Sequence, residues 1–163
     1  MKIRHRVSMA VAAAVLAAGA TASAQQVNVE QLQSLKNRIQ KAQGDVERLV
    51  NIGRRGGEEA GGVESDVLAV PILLEASGSL FTAGQRADEA LFAALGGNFA
   101  LATFRFTQAC TQTGLARTQV ARARLAALAF PPGFLTVVAG DFTLIVNELI
   151  LLRSPFPTGV GCP

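Results

Sequence analysis

The sequence predicts an all-α protein, a small bundle of four or five helices led by an amphipathic, coiled-coil-like helix. Three observations carry that expectation. Apolar residues step by three and four through residues 32–49 and again through 135–152. A third ridge with helical spacing runs between Asn98 and Ala129. Glycine and proline clusters at 53–62, 96–97 and 131–133 fall between these segments and break them apart.

The chain opens with Lys2, Arg4 and Arg6, an alanine-rich apolar run from Met9 to Ala20, and the small-x-small triplet Ala22-Ser23-Ala24. This is the three-zone layout of a cleavable secretory signal peptide, expected to occupy residues 1–24. An uncleaved anchor is the alternative, but a bilayer span needs about 20 apolar residues and this run is shorter. Residue 25 is Gln rather than Cys, so no lipoprotein acceptor stands at this site. The working chain is therefore expected to start near Gln25 and to be periplasmic or secreted.

Cleavage at this point removes three of the 15 basic residues and leaves 12 Lys and Arg against 12 Asp and Glu. A neutral protein has no electrostatic claim on nucleic acid or anionic lipid, so no nucleic-acid partner is expected. The remaining charge is unevenly spread. Residues 25–64 carry as many charged side chains as the following 99, and all nine Phe lie from Phe81 onward. A charged arm thus precedes an apolar body.

In the arm, expected to be a helix over 25–52, Leu32, Leu35, Ile39, Ala42, Val46 and Leu49 form a heptad seam. The seam is shorter than the three to four heptads of a convincing coiled coil. It either packs on the protein's own body or meets a protein partner or a second copy. Residues 53–64 read as a linker, because five glycines within GRRGGEEAGG carry a high backbone-entropy cost in a helix.

The body, 65–163, begins with SDVLAVPILLEA. Ser65 can cap a short helix there and Pro71 would kink it; an extended run is the alternative. Ser77-Gly78 reads as a break. Thr82, with Gln85 three residues on, reads as the capping box of a new helix that ends at Gly96-Gly97. Asn98 caps a long helix whose ridge is Phe99, Ala102, Phe106, Ala109, Thr113, Ala116, Val120, Ala123 and Ala127. Many of these are small, which lets a neighbouring helix come close. Leu135, Val138, Phe142, Ile145, Leu149 and Leu152 predict a last helix over 134–152, expected near the centre of the bundle. Its β-branched pairs keep a strand reading open. If it crossed a membrane, Asp141 would sit mid-bilayer, so an integral span is not expected.

The chemistry is mostly one of absences. His5, the sole histidine, leaves with the leader, so no Ser-His or Cys-His nucleophile system is expected in the mature chain. No cofactor motif is present, and no cofactor, metal site or catalytic residue is expected. Asp141 and Glu148, seven apart, share a helix face, but capping and pairing with arginine explain them more simply than acid–base chemistry. Cys110 and Cys162, the two cysteines of an exported chain, are expected to form one disulfide that pins the proline-rich tail to the long helix. An intermolecular bond or free thiols are the alternatives.

Two functions remain. In the first, an exported non-catalytic protein works by helix-mediated association, as an assembly, accessory or oligomeric component, through Leu32, Leu35, Ile39, Val46 and Leu49. In the second, the bundle binds a lipid or other apolar ligand, with Thr136, Thr143 and Asn147 as a polar stripe along the last helix.

Overall fold

The computed structural model describes residues 27–59, 64–129, 133–154 and 159–163. Among them are five helices and no strand: α1 (Val29–Glu59), α2 (Glu64–Leu95), α3 (Phe99–Leu128), α4 (Phe134–Val137) and α5 (Ala139–Leu151). The all-α expectation holds and the strand alternative for 134–152 falls, but the single last helix expected there is divided at Val138 into α4 and α5. The proposed leader, 1–24, lies outside the described residues.

Local chemistry sets most of the ends. Asn28 and Gln31 cap α1 reciprocally: the Gln31 N–H donates to Asn28 Oδ1 at 2.7 Å, and the Asn28 N–H to Gln31 Oε1 at 3.1 Å. At the end of α2, Gly97 adopts φ 77°, the Gly97 N–H donates to Ala94 O, and the Asn98 N–H donates to Ala93 O at 2.8 Å. These are the paired bonds of a Schellman turn, and the positive φ suits glycine. Asn98 then starts α3, its Oδ1 accepting from the Leu101 N–H at 3.1 Å, as the sequence predicts.

Two expectations about helix length are corrected. The arm helix does not stop at Gly53 but runs to Glu59, through most of the proposed linker; residues 60–63 lie outside the described residues. The seam explains why. Its three-four stepping continues from Leu49 to Gly53 and Gly56, both buried. A Cβ on Gly53 would stand 2.5 Å from Val70 Cγ2, and one on Gly56 would stand 2.6 Å from Asp66 Oδ2 and 2.7 Å from Phe134 Cδ2. These glycines let α1 approach α2 and α4; tertiary contact offsets their poor helix propensity.

Likewise, α2 is a single helix from Glu64 to Leu95, with no break at Ser77-Gly78 and no start at Thr82. Pro71 sits on its exposed side, where solvent can reach the carbonyl that Pro71 leaves unbonded. Thr82 Oγ1 donates to Gly78 O at 3.0 Å, a back-bond within the helix rather than a cap.

Helices α1, α2 and α3 run up, down and up. α4 and α5 return along α3 and α1 as a shorter fourth member. The heaviest packing is α2 on α3, then α1 on α2. The last helix is therefore at the flank, not the centre, and its Leu144, Ile150 and Leu151 are exposed.

The core has two textures. The α1 seam contributes Leu32, Leu35, Ile39, Val46 and Leu49. The α2–α3 hairpin instead has Ala69, Ala76, Ala83 and Ala90 against Ala102, Ala109, Ala116 and Ala123, an alanine at every seventh position of both helices and all of them buried. Small side chains at each heptad allow close approach of two backbones.

Candidate association surface and the placement of the predicted sites

Cys110 on α3 and Cys162 in the tail are paired, with Cα atoms 5.4 Å apart, and no free cysteine remains among the described residues. The tail they hold is seated as well as tethered. Val160 is buried, and the N–H groups of Val160 and Cys162 both donate to Leu152 O at 3.2 Å. These bonds satisfy a carbonyl that the end of α5 would otherwise leave open.

All five seam residues named as partner-binding candidates are buried inside the chain. Leu32, Leu35, Ile39, Val46 and Leu49 have no exposure, being packed mainly against α2. The body has taken up the seam, so a partner could reach it only if α1 left the bundle.

The candidate polar stripe divides. Thr136 is structural: its Oγ1 donates to Ala127 O at 3.0 Å and accepts from the Gly133 N–H at 3.2 Å, tying the start of α4 to the end of α3. Thr143 is exposed and lines an open apolar cleft of about 200 Å³ with Ala121, Arg124, Leu125 and Val146. Asn147 is exposed on α5. That cleft is smaller than the roughly 300–1,000 Å³ of ordinary ligand pockets.

Asp141 and Glu148 face α1. Arg48 lies 3.2 Å from Asp141 and Arg38 lies 3.5 Å from Glu148; Lys36 makes a third bridge, to Asp88 on α2 at 2.6 Å. With Lys41, Asp45 and Leu144 the two carboxylates line a cleft of about 310 Å³. Every carboxylate here has a cationic neighbour, an arrangement that fastens α5 to α1. One atom is left over, Arg38 NH1, buried and without a hydrogen-bond partner among the described residues.

Sequence reasoning missed two features. Asp66 is fully buried at the start of α2, and its carboxylate accepts from the N–H groups of Phe134 at 2.9 Å and Leu135 at 3.1 Å, capping α4 from 68 residues away. No local signal announces a cap at that separation. The second is the outside of the α2–α3 hairpin. With alanine turned inward, the large apolar side chains stand outward. Phe92 is 75% exposed, Phe81 56% and Phe104 55%, with Leu74 and Leu115 close behind. The stepping Val67, Pro71, Leu74, Gly78, Phe81, Gln85, Asp88 and Phe92 was visible in the sequence as a second stripe on α2, apolar except at Gln85 and at Asp88, which bridges to Lys36 on α1.

Charge on this outer face is only partly paired, since Glu75 and Arg122 stand exposed with no ion pair among the described residues. Arg86 and Arg105 converge on Glu89, with bonds of 2.7 and 3.0 Å to its Oε2. Its hydroxyls are also satisfied: Thr107, Thr111 and Thr118 each donate to the carbonyl four residues back, at 3.0, 2.9 and 3.2 Å. Thr82, Arg86, Gln108, Thr111 and Gln112 line a cleft across the middle of the face, and large exposed apolar side chains flank that cleft, a pattern that marks interaction sites.

No group of three or more His, Cys, Asp or Glu able to hold a metal occurs among the described residues. Comparison with protein-family models, with curated proteins and with solved structures finds no match to this chain.

Proposed function

We propose that this is an exported, non-catalytic protein that acts by helix-mediated association, as an assembly or accessory component or as an oligomer. The observation that carries the reading is the outer face of the α2–α3 hairpin, where large apolar side chains stand in solvent on the side away from the buried alanine lines. Export, to the periplasm or beyond the cell, is supported by the three-zone leader at 1–24 and by a cysteine pair suited to an oxidising compartment. The α1 seam, first among the sequence candidates, is spent inside the fold, so association falls to the hairpin.

Photo-cross-linking tests this in the producing cell. A photoreactive phenylalanine analogue at position 92 should yield adducts with an identifiable protein, either this chain or another, and the same analogue at exposed Asn51 on α1 should not. Equal and negligible yields at both positions would overturn the reading.

A second reading, binding of a lipid or another apolar ligand, draws on α2. Over Asp66–Leu95 this helix is long and apolar enough to cross a bilayer by length and composition, a property shared by core helices of soluble bundles. Flotation of the mature chain with zwitterionic vesicles would favour it.

A further inference from the structure

We infer that the outer face of the α2–α3 hairpin is a homodimer interface, occupied by the same face of a second copy with the two bundles side by side and parallel. This rests on the association reading and names its partner.

The first support is size. From Val67 to Phe92 the face is roughly 38 Å long at 1.5 Å per residue, and two helices give it a width of roughly 20 Å. That is about 750 Å² per chain, close to the roughly 800 Å² per partner of a standard stable interface. The second is desolvation. The Thr107, Thr111 and Thr118 hydroxyls and the Arg86–Glu89–Arg105 cluster are bonded within the chain, which leaves the Gln85 and Gln112 amides as the groups the second copy must satisfy.

The third support is charge, and it selects the second copy and its orientation. The Ser79–Gln119 hydrogen bond and the Glu89–Arg105 ion pair fix the antiparallel register of the hairpin. In that register Phe92 stands level with Phe104, Phe81 with Leu115, and Glu75 with Arg122. Glu75 and Arg122 are both exposed and form no ion pair within their own chain among the described residues. A two-fold axis parallel to the helices lays α2 of one copy over α3 of the other at the same level. Each Glu75 then meets the second copy's Arg122, twice per dimer, and each Phe92 meets a Phe104.

Sedimentation equilibrium on the oxidised mature chain is the test. The expected result is a dimer. Phe92→Glu with Phe104→Glu should weaken it by roughly 100-fold or more, because the change removes two large aromatic contacts at the loop end of the face and sets four carboxylates against one another in the dimer. Both side chains are exposed in the single chain, so helicity and melting of the resulting monomer should be retained. Glu75→Arg should weaken the dimer, and adding Arg122→Glu should restore it, a rescue that a nonspecific apolar contact would not give. A wild-type monomer at concentrations well above about 100 µM, where even a weak dimer forms, would overturn the inference. So would a dimer indifferent to these substitutions. If position 92 still cross-links to a different protein in cells, association stands and only the second copy is lost.

Discussion

Helix α1 and the α2–α3 hairpin solve the same packing problem in opposite ways. α1 buries its large residues, Leu32, Leu35, Ile39, Val46 and Leu49, and shows solvent Gln33, Asn37, Gln40, Glu47, Arg54 and Arg55. The hairpin buries alanine at every seventh position, with Leu73, Leu80, Phe106 and Val120 between, and shows solvent Leu74, Phe81, Phe92, Phe104 and Leu115. α1 is an ordinary amphipathic helix whose apolar face is fully used. The hairpin gains close backbone approach from its small core residues and is left with an apolar surface that its own fold does not cover. The contrast teaches that in this molecule large apolar residues do not mark the core uniformly. Inside α1 they hold the fold together, and outside the hairpin they form the surface for which we propose a partner.

The comparison breaks most sharply at the seam. Leu35→Glu together with Ile39→Glu places two charges in a fully buried line. Each loses roughly 2–5 kcal/mol of packing and adds a desolvation cost, so the mature chain should lose its cooperative urea transition by circular dichroism. A folded monomer carrying both changes would show that the seam is not core.

The disulfide comes next. Cys110→Ser with Cys162→Ser frees a 52-residue separation, and thermal melting should report a loss of about 2–4 kcal/mol. Fast amide exchange should then appear at Val160 and Cys162→Ser, where the tail N–H groups now hold Leu152 O.

The glycines sharpen the account of how α1 is seated. Gly53→Ala and Gly56→Ala should each cost about 1–3 kcal/mol, because the added methyl meets Val70 or Asp66 and Phe134. Gly44→Ala, on the same helix with nothing within 4 Å of its Cβ, should instead stabilise by about 0.5–1 kcal/mol. Equal effects at the three sites would remove the packing explanation.

The smallest effect falls on the hairpin's exterior. Phe92→Ser should change the stability of the isolated chain by no more than about 0.5 kcal/mol, whereas Ala83→Leu, on the inside of the same helix, should cost about 1–3 kcal/mol through overpacking. Denaturant titration at concentrations low enough to keep the chain monomeric separates the two. A large loss from Phe92→Ser would mean that the exposed phenylalanines contribute to the fold itself.

Much of the architecture could be read from residues alone. The α1 seam, the Asn98 cap, the Gly96-Gly97 stop and the pairing of Cys110 with Cys162 are all recorded in local pattern or in a count of two. The α3 ridge was also legible, apart from Phe99, which is 41% exposed. Periodicity reports which residues share a face, and capping reports where a helix begins, because both arise from the backbone within one or two turns.

What went unread depends on neighbours that sequence does not place. Gly53, Gly56, Pro71 and Gly78 each disfavour a helix in isolation, and propensity stops α1 and divides α2 at them. The structure carries the helices through, since Gly53 and Gly56 are where α1 touches α2 and α4, and Pro71 and Gly78 lie on the exposed side, where no other helix of the chain crowds them. The Asp66 cap on α4 exists only because two segments 68 residues apart are brought together.

By itself, then, the sequence determined the helical class, the cysteine pair, the heptad seam of α1 and the ridge of α3, all set by short-range periodicity and covalent chemistry. Only the tertiary structure decided which heptad line on α2 faces inward. The alanine line, with Leu73 and Leu80, competes there with a set that includes Leu74, Phe81 and Phe92, and the closer approach of α3 across alanine settles the choice, leaving the second set outside.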